Sequence, residues 1–361
     1  MSTRLADLTT LRVGGPVATL VDVESEAEFI DAVRAADAGS SRSAEPVGTA
    51  AGAGLLVLGG GSNVLAGDGP FAGTVVRDRR TAIDVESADA CGGAVVRVSA
   101  GTPWEHVVDA AIAEGWMGIE CLTGIPGSTG ATPVQNVGAY GQEIAEVVST
   151  VRCWDRAEQR VRTFAAGELG FGYRSSLLKS SLGGRWGVTP RYVVLEVSFQ
   201  FRLATLSAPI RYAELAAALD EPLGGRTDAA RVRSAVRALR AGKGMVLDDG
   251  DHDTWSAGSF FTNPIVARGL VPAGAPAFDV RGTDLVKTSA AWLIARAGLE
   301  RGFGLGGRAA LSGKHVLALT NRGGASAAEL LDLARAVRAR VAGAFGITLV
   351  PEPVLVGVSL D

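Results

Sequence analysis

The chain has 361 residues, 47% of them hydrophobic and 20% charged, which is long enough for two or three domains and apolar enough to bury their cores. A net charge of −3 argues against general attraction to nucleic acid, and there is no apolar run of the roughly 18 residues that a membrane span needs. Cys91, Cys121 and Cys153 are far apart and lack a C-x-x-C pair, so neither a disulfide framework nor a metal site is expected. With no apolar leader in "MSTRLADLTT", a soluble cytoplasmic protein with no membrane or nucleic-acid partner is the expectation.

In chain order, Val17–Val23 reads as a strand, and the Ser25/Glu28 capping box predicts a helix over 26–36. Residues 38–53, rich in Gly, Ala and Ser, read as a flexible loop. "LLVLGGGSN" (55–63) reads as a buried strand entering a glycine turn, and "TVVRD" and "AVVRVSAG" as further strands. Thr102 and Glu105 suggest a second capping box with Pro103 at the first helical position, and Gly115 closes that helix. "VVSTVRCWD" and "RYVVLEVSFQF" are strand-like. Helices are predicted over 228–241, 289–297 and 326–345, the last with a Ser326/Glu329 box. Short strands are expected at "HVLAL" and "ITLV". The arginines of 226–240 read as the solvated face of a helix.

Two uncharged glycine-rich segments carry the chemistry. "GGGSN" (59–63) follows a strand, where glycines let backbone N–H groups approach a phosphate and Ser62 and Asn63 add side-chain hydrogen bonds. Alone, such a segment is more often a plain turn. "GIPGSTGATPVQNVGAYGQEI" (124–144) is too broken for a helix and carries no charge before Glu143. Together the two can form a backbone-only cradle whose oriented N–H groups hold a pyrophosphate without Lys or Arg. Gln135 and Asn136 offer amides to a polar heteroaromatic ring.

"LGGGSNVL" (58–65), the 124–144 stretch, "FGYRSS" (171–176), "AGSFFTNP" (257–264) and "LVPEPVLVG" (349–357) occur in order across nearly the whole chain. Together they resemble the UDP-N-acetylenolpyruvoylglucosamine reductase family. The resemblance implies an α+β fold: a two-lobed FAD-binding domain of the vanillyl-alcohol oxidase/PCMH type and a C-terminal α+β substrate-binding domain. It implies non-covalent FAD held by Gly59, Gly60, Gly61, Ser62, Asn63, Gly124, Pro126, Gly127, Ser128, Gly130, Ala131, Gln135, Asn136, Gly138 and Ala139. His106 and Cys121, the nearest candidates for a covalent link, read as core or surface residues.

The same resemblance assigns Arg174 to charge developing at the substrate carboxylate, Ser259 to proton donation and Glu352 to the substrate side opposite the arginine. Taken singly, each has a plainer reading: a surface arginine, a turn serine, a solvated loop glutamate. Tyr212 and Lys243 resemble a pyrophosphate-contacting pair, and Tyr173 and Asn263 are further substrate candidates. Lys314 and His315 fit either a substrate-lining or a structural role. Glu352-Pro353-Val354 departs from the Glu-Val-Arg of many relatives, which puts the neighbouring strand pairing in question.

The expected domains are 1–203 (FAD-binding, lobes 1–80 and 81–203), 204–225 (a connection carrying the substrate-covering Tyr212) and 226–361 (substrate-binding, with about 347–361 returning to the active site). The implied reaction uses NADPH as co-substrate to reduce the enolpyruvyl group of UDP-N-acetylenolpyruvoylglucosamine to UDP-N-acetylmuramic acid, a peptidoglycan precursor, in a monomeric enzyme. The alternatives are another FAD-dependent oxidoreductase of the same fold and a non-catalytic nucleotide-binding module.

Overall fold

A computed structural model describes residues 3–40, 54–280 and 282–361. The chain divides into two compact units, each discontinuous: Val17–Gly60 with Phe71–Val246, and Met1–Pro16 with Gly61–Pro70 and Leu247–Asp361. The seven α-helices among the described residues are α1 (Glu26–Ser40), α2 (Trp104–Ala113), α3 (Leu177–Ser180), α4 (Ala213–Leu219), α5 (Ala229–Gly242), α6 (Ala290–Arg296) and α7 (Ala327–Phe345). None is long and apolar enough to cross a membrane. The mixture of helices and sheets is the expected α+β class.

In the unit containing Val17–Gly60, a parallel sheet runs in the order Val17–Val23, Phe71–Asp78, Leu55–Val57. The Ser25/Glu28 pair forms as predicted: the Glu28 N–H donates to Ser25 Oγ and the Ser25 N–H to Glu28 Oε2, both at 3.2 Å. Helix α1 then buries Phe29 and Val33 against Val23, Leu55 and Val76. The loop expected at 38–53 lies outside the described residues from 41 onward, and residues 38–40 belong to α1.

An antiparallel sheet in the same unit has the order Arg160–Ala165, Val148–Asp155, Tyr192–Leu203, Gly93–Ser99, Ile83–Asp89. Gly93–Ser99 shows why it is a strand: Ala94, Val96 and Val98 alternate into the core, and α2 covers them with Trp104, Val107, Val108 and Ala111. The start of α2 differs from expectation. Pro103 is its N-cap and supplies no side-chain cap. Thr102 Oγ1 instead bonds the Ala82 carbonyl at 3.2 Å, and Glu105 turns toward the 124–144 stretch.

In the other unit, Ser326 caps α7 in the predicted box and Gly346 ends it in the left-handed conformation. Ser289 likewise caps α6. Leu330, Leu333, Val337 and Val341 of α7 pack on Leu293, Ile294, Leu311 and Leu319. Two expected strands are displaced. In "HVLAL", Ser312 Oγ accepts from the N–H groups of Lys314 (3.0 Å) and His315 (3.3 Å), a turn, so pairing begins only at Leu319–Asn321. In "ITLV", Ile347 and Leu349 are buried and their neighbours exposed, yet the segment has no ladder. Alternation there reports one-sided burial. The strand is Val354–Val356, parallel to Val64–Ala66. Pro353 stands immediately before it, so its missing N–H costs the ladder no donor.

Candidate active site

The two glycine-rich segments meet. A Cβ on Gly60 would lie 2.7 Å from Gly127 Cα, and one on Gly59 would lie 2.5 Å from Ser128 Oγ. Gly60 and Gly127 meet backbone to backbone, which requires glycine, while Gly59 faces the Ser128 hydroxyl, so the wall is almost bare of side chains. Gly127 has φ +134°, closed to most residues. The wall is braced behind: the Gly127 carbonyl accepts from Trp104 N–H at 3.0 Å, and Gly130 N–H donates to the Ala100 carbonyl at 2.9 Å. Gly130 is glycine for packing, since its Cβ would lie 2.6 Å from Ala100 Cβ. A bare backbone wall of this kind fits the anionic linker of a dinucleotide, so the residues present suit FAD. Gly61, Ser62 and Asn63 lie across the chain's passage into the other unit, where Asn63 Nδ2 donates to the Glu352 carbonyl at 3.3 Å.

Glu105 fixes the start of the 124–144 stretch, accepting from Gly124 N–H at 2.6 Å and Thr123 Oγ1 at 2.8 Å. Burial raises its carboxyl pKa, but these hydrogen bonds and the charges of Arg233 and Arg237 outweigh that and hold it below the ordinary value. The arginines of α5 are therefore more than a solvated face. Arg233 pairs with Asp109 and Glu105, Arg237 with Glu105 at 3.1 Å, and Arg231 with Glu221 at 3.3 Å.

Tyr173 and Arg174 form the tip of a tight hairpin closed by Gly172–Ser175 hydrogen bonds of 3.0 and 3.1 Å. Arg174 has φ +52°, a strained conformation for a residue with a side chain. Its guanidinium donates to the carbonyls of Asn136 (3.4 Å) and Gly138 (3.2 Å). Asn136, also left-handed at φ +47° and 2% exposed, returns the link: its amide donates to the Gly172 carbonyl at 3.1 Å and to Glu143 at 2.8 Å, and its Oδ1 accepts from Ala145 N–H. The arginine and the second glycine-rich stretch thus form one hydrogen-bonded body.

In the other unit, Ser259 and Glu352 lie on paired segments. Phe261 bridges Pro351, Glu352 N–H donates to the Phe260 carbonyl at 2.9 Å, and Thr262 N–H donates to the Val350 carbonyl at 3.0 Å. The buried Phe260 and Phe261 rings anchor this pairing, stacked edge to face at 5.0 Å. Asn263 Oδ1 accepts from Ala290 N–H at 2.9 Å, at the first residue of α6. His315 Nδ1 accepts from Leu317 N–H at 3.0 Å, and Lys314 pairs with Asp251 at 2.5 Å. The acidic segment 248–253 is fastened by cations: Asp249 by Arg12, Asp251 by Lys314 and Asp253 by Arg322.

Lys243, at the C-cap of α5, pairs with Glu214 and lies 5.4 Å from the centre of the Tyr140 ring. Tyr140 meets Tyr212 edge to face at 5.3 Å, so three of the residues singled out by sequence or structure gather here. Arg240, read from sequence with 226–240 as part of a solvated helix face, is partly buried instead. Its Nε is buried with no hydrogen-bond partner among the described residues, 3.4 Å from where a Gly124 Cβ would stand, while its Nη2 donates to the Met245 carbonyl at 3.0 Å. Burial holds its guanidinium below the ordinary arginine value. A signal existed: Arg240 precedes Lys243 by one helical turn, which puts both on one face.

Residues 250–356 match the family model for the UDP-N-acetylenolpyruvoylglucosamine reductase C-terminal domain, and residues 17–165 match the FAD binding domain. A curated UDP-N-acetylenolpyruvoylglucosamine reductase of Cutibacterium acnes is 52% identical over 99% of this chain and 90% of its own. The chain belongs to the UDP-N-acetylenolpyruvoylglucosamine reductase family. A Thermobifida fusca reductase is 50% identical over 99% of this chain and 97% of its own. The crystal structure of the Thermus caldophilus reductase superposes with a TM-score of 0.62 at 26% identity, covering 98% of this chain and 97% of that one. As a member, the chain is a flavoprotein oxidoreductase built from a FAD-binding domain and the family's C-terminal domain.

Proposed function

We propose that the protein reduces the enolpyruvyl group of UDP-N-acetylenolpyruvoylglucosamine to give UDP-N-acetylmuramic acid, with NADPH as reductant. The reading is carried by one observation. The bare wall of Gly59, Gly60, Gly127 and Ser128 continues into a stretch that hydrogen-bonds a strained arginine hairpin, in a chain about half identical to curated reductases over its full length. Held by the backbone of 59–63 and 124–139, FAD would supply hydride transfer between NADPH and the enol ether.

The chain's own residues do the rest. Backbone of 59–63 and 124–139 binds the dinucleotide non-covalently; of the two nearest candidates for a link, His106 is exposed on α2, and burial pushes the Cys121 thiol far up. The Arg174 fork is held in plane by the Asn136 and Gly138 carbonyls, and it offers N–H groups to the substrate carboxylate as negative charge builds. Ser259 gives a proton to the adjacent carbon. Glu352, with its backbone fixed by Phe260 and Asn63, orders the substrate. Tyr212 and Lys243 contact the diphosphate, with Tyr173, Asn263 and His315 as further substrate contacts.

The enzyme works as a cytoplasmic monomer on these small molecules. Three free cysteines fit a reducing compartment. The test is product analysis. Purified holoenzyme given NADPH and the enolpyruvyl sugar nucleotide should yield UDP-N-acetylmuramic acid, identified by mass, in step with NADPH consumption. NADPH consumption that ignores the sugar nucleotide would favour another oxidoreductase of this fold.

A further inference from the structure

We propose that Glu214 competes with the substrate's diphosphate for Lys243, and so sets how tightly the sugar nucleotide binds. This rests on the assignment of Lys243 to the diphosphate. The Lys243 ammonium is paired with the Glu214 carboxylate, the two side chains being 29% and 40% exposed. Burial lowers the lysine's pKa, but the hydrogen bond and charge of the Glu214 carboxylate outweigh it, so the cation persists at neutral pH. A diphosphate oxygen reaching the same ammonium must either displace the carboxylate or sit beside it. Two like charges on one small cation repel, so displacement is the outcome.

The exchange is confined to side chains. Helix α4, which carries Glu214 in its first turn, is anchored by buried Leu215 and Leu219 packed on Val232 and Val236 of α5. Glu214 could instead help binding by holding the flexible lysine in place. That service is already supplied from elsewhere, because Lys243 lies over the Tyr140 ring and Tyr140 is itself braced by Tyr212. Removing the carboxylate therefore releases a cation that stays in position, and competition is the larger effect. A ligand carrying two phosphate charges displaces the single carboxylate charge, whereas a weakly charged ligand does not, so the pair also filters for diphosphates.

The experiment is an equilibrium titration of the holoenzyme with UDP-N-acetylglucosamine, which has the diphosphate but no enolpyruvyl ether and so does not turn over. Wild type, Glu214→Gln, Lys243→Ala and the double variant are compared calorimetrically. Glu214→Gln should tighten binding about two- to fivefold, the range a half-exposed ion pair contributes to an equilibrium. Lys243→Ala should weaken it, and in that background Glu214→Gln should have no further effect. If Glu214→Gln weakens binding or leaves it unchanged while Lys243→Ala weakens it, the competition is refuted and the lysine assignment survives. If Lys243→Ala binds as wild type, the assignment itself fails and takes the proposal with it. Equal tightening in both backgrounds would reveal general electrostatics, which also overturns it.

Discussion

Gly60→Ala is the sharpest probe of the flavin wall. Gly60 is not in the left-handed region, so alanine meets no backbone penalty there, and the whole effect comes from contact. The new Cβ would stand 2.7 Å from Gly127 Cα and 3.2 Å from Gly127 N. Both are main-chain atoms, so one glycine segment must move away from the other. Overpacking of this kind typically costs about 1–3 kcal/mol. If the segments spread in the apoprotein and must close again on FAD, the dissociation constant rises by about 5- to 150-fold. If the strain is expressed in folding instead, the apoprotein melts at a lower temperature. Gly59→Ala is the internal control: its Cβ meets Ser128 Oγ, the end of a side chain that can rotate, so it should be milder, and Ser128→Ala should relieve it. FAD reconstitution followed by quenching of flavin fluorescence, with thermal melts of the same proteins, separates the two outcomes. A Gly60→Ala protein that binds FAD and melts like wild type would show that this contact does not shape the site.

Three further variants test the scaffold and the chemistry. Glu105→Gln should destabilise the protein by about 1–3 kcal/mol at neutral pH. Because the folded carboxyl lies below its ordinary value, the wild-type advantage is present above that value and lost as pH falls through the folded one. Thermal melts from neutral pH down through about pH 4 should show the difference shrinking, and a difference that grows with acid would contradict it. Asn136→Ala removes three hydrogen bonds at a left-handed residue and should lower denaturant stability by about 2–4 kcal/mol, where a neutral result would refute the hub role. Arg174→Lys should keep full FAD content and lower kcat by about 10²–10³-fold, since an ammonium cannot reproduce the fork. Wild-type turnover would remove Arg174 from the chemistry.

Local signals were legible where the cause is local. The Ser25/Glu28 and Ser326/Glu329 boxes act through neighbours in sequence and formed as read, and the strand read at "AVVRVSAG" is present as Gly93–Ser99. The misreadings arise where a distant partner decides. Thr102 and Glu105 have the spacing of a capping box, yet Ala82, Thr123 and Gly124 offer better partners. "ITLV" alternates without a ladder because a strand needs a second strand, which no single segment announces. Arg240 was hidden among arginines that meet carboxylates, and the burial of its Nε appears only once α5 is laid beside Gly124. The left-handed conformations of Asn136, Tyr140 and Arg174 were equally invisible, since none is a glycine.

Stopped-flow absorbance of the bound flavin, followed separately for each half-reaction in wild type and Ser259→Ala, tests the account most directly. NADPH needs no proton from Ser259, so flavin bleaching should proceed at close to the wild-type rate in the variant. Reoxidation by UDP-N-acetylenolpyruvoylglucosamine needs carbon protonation and should slow by about 10²–10⁴-fold, the range for a positioned general acid. Equal slowing of both halves, or of neither, would contradict the assignment of the proton to Ser259.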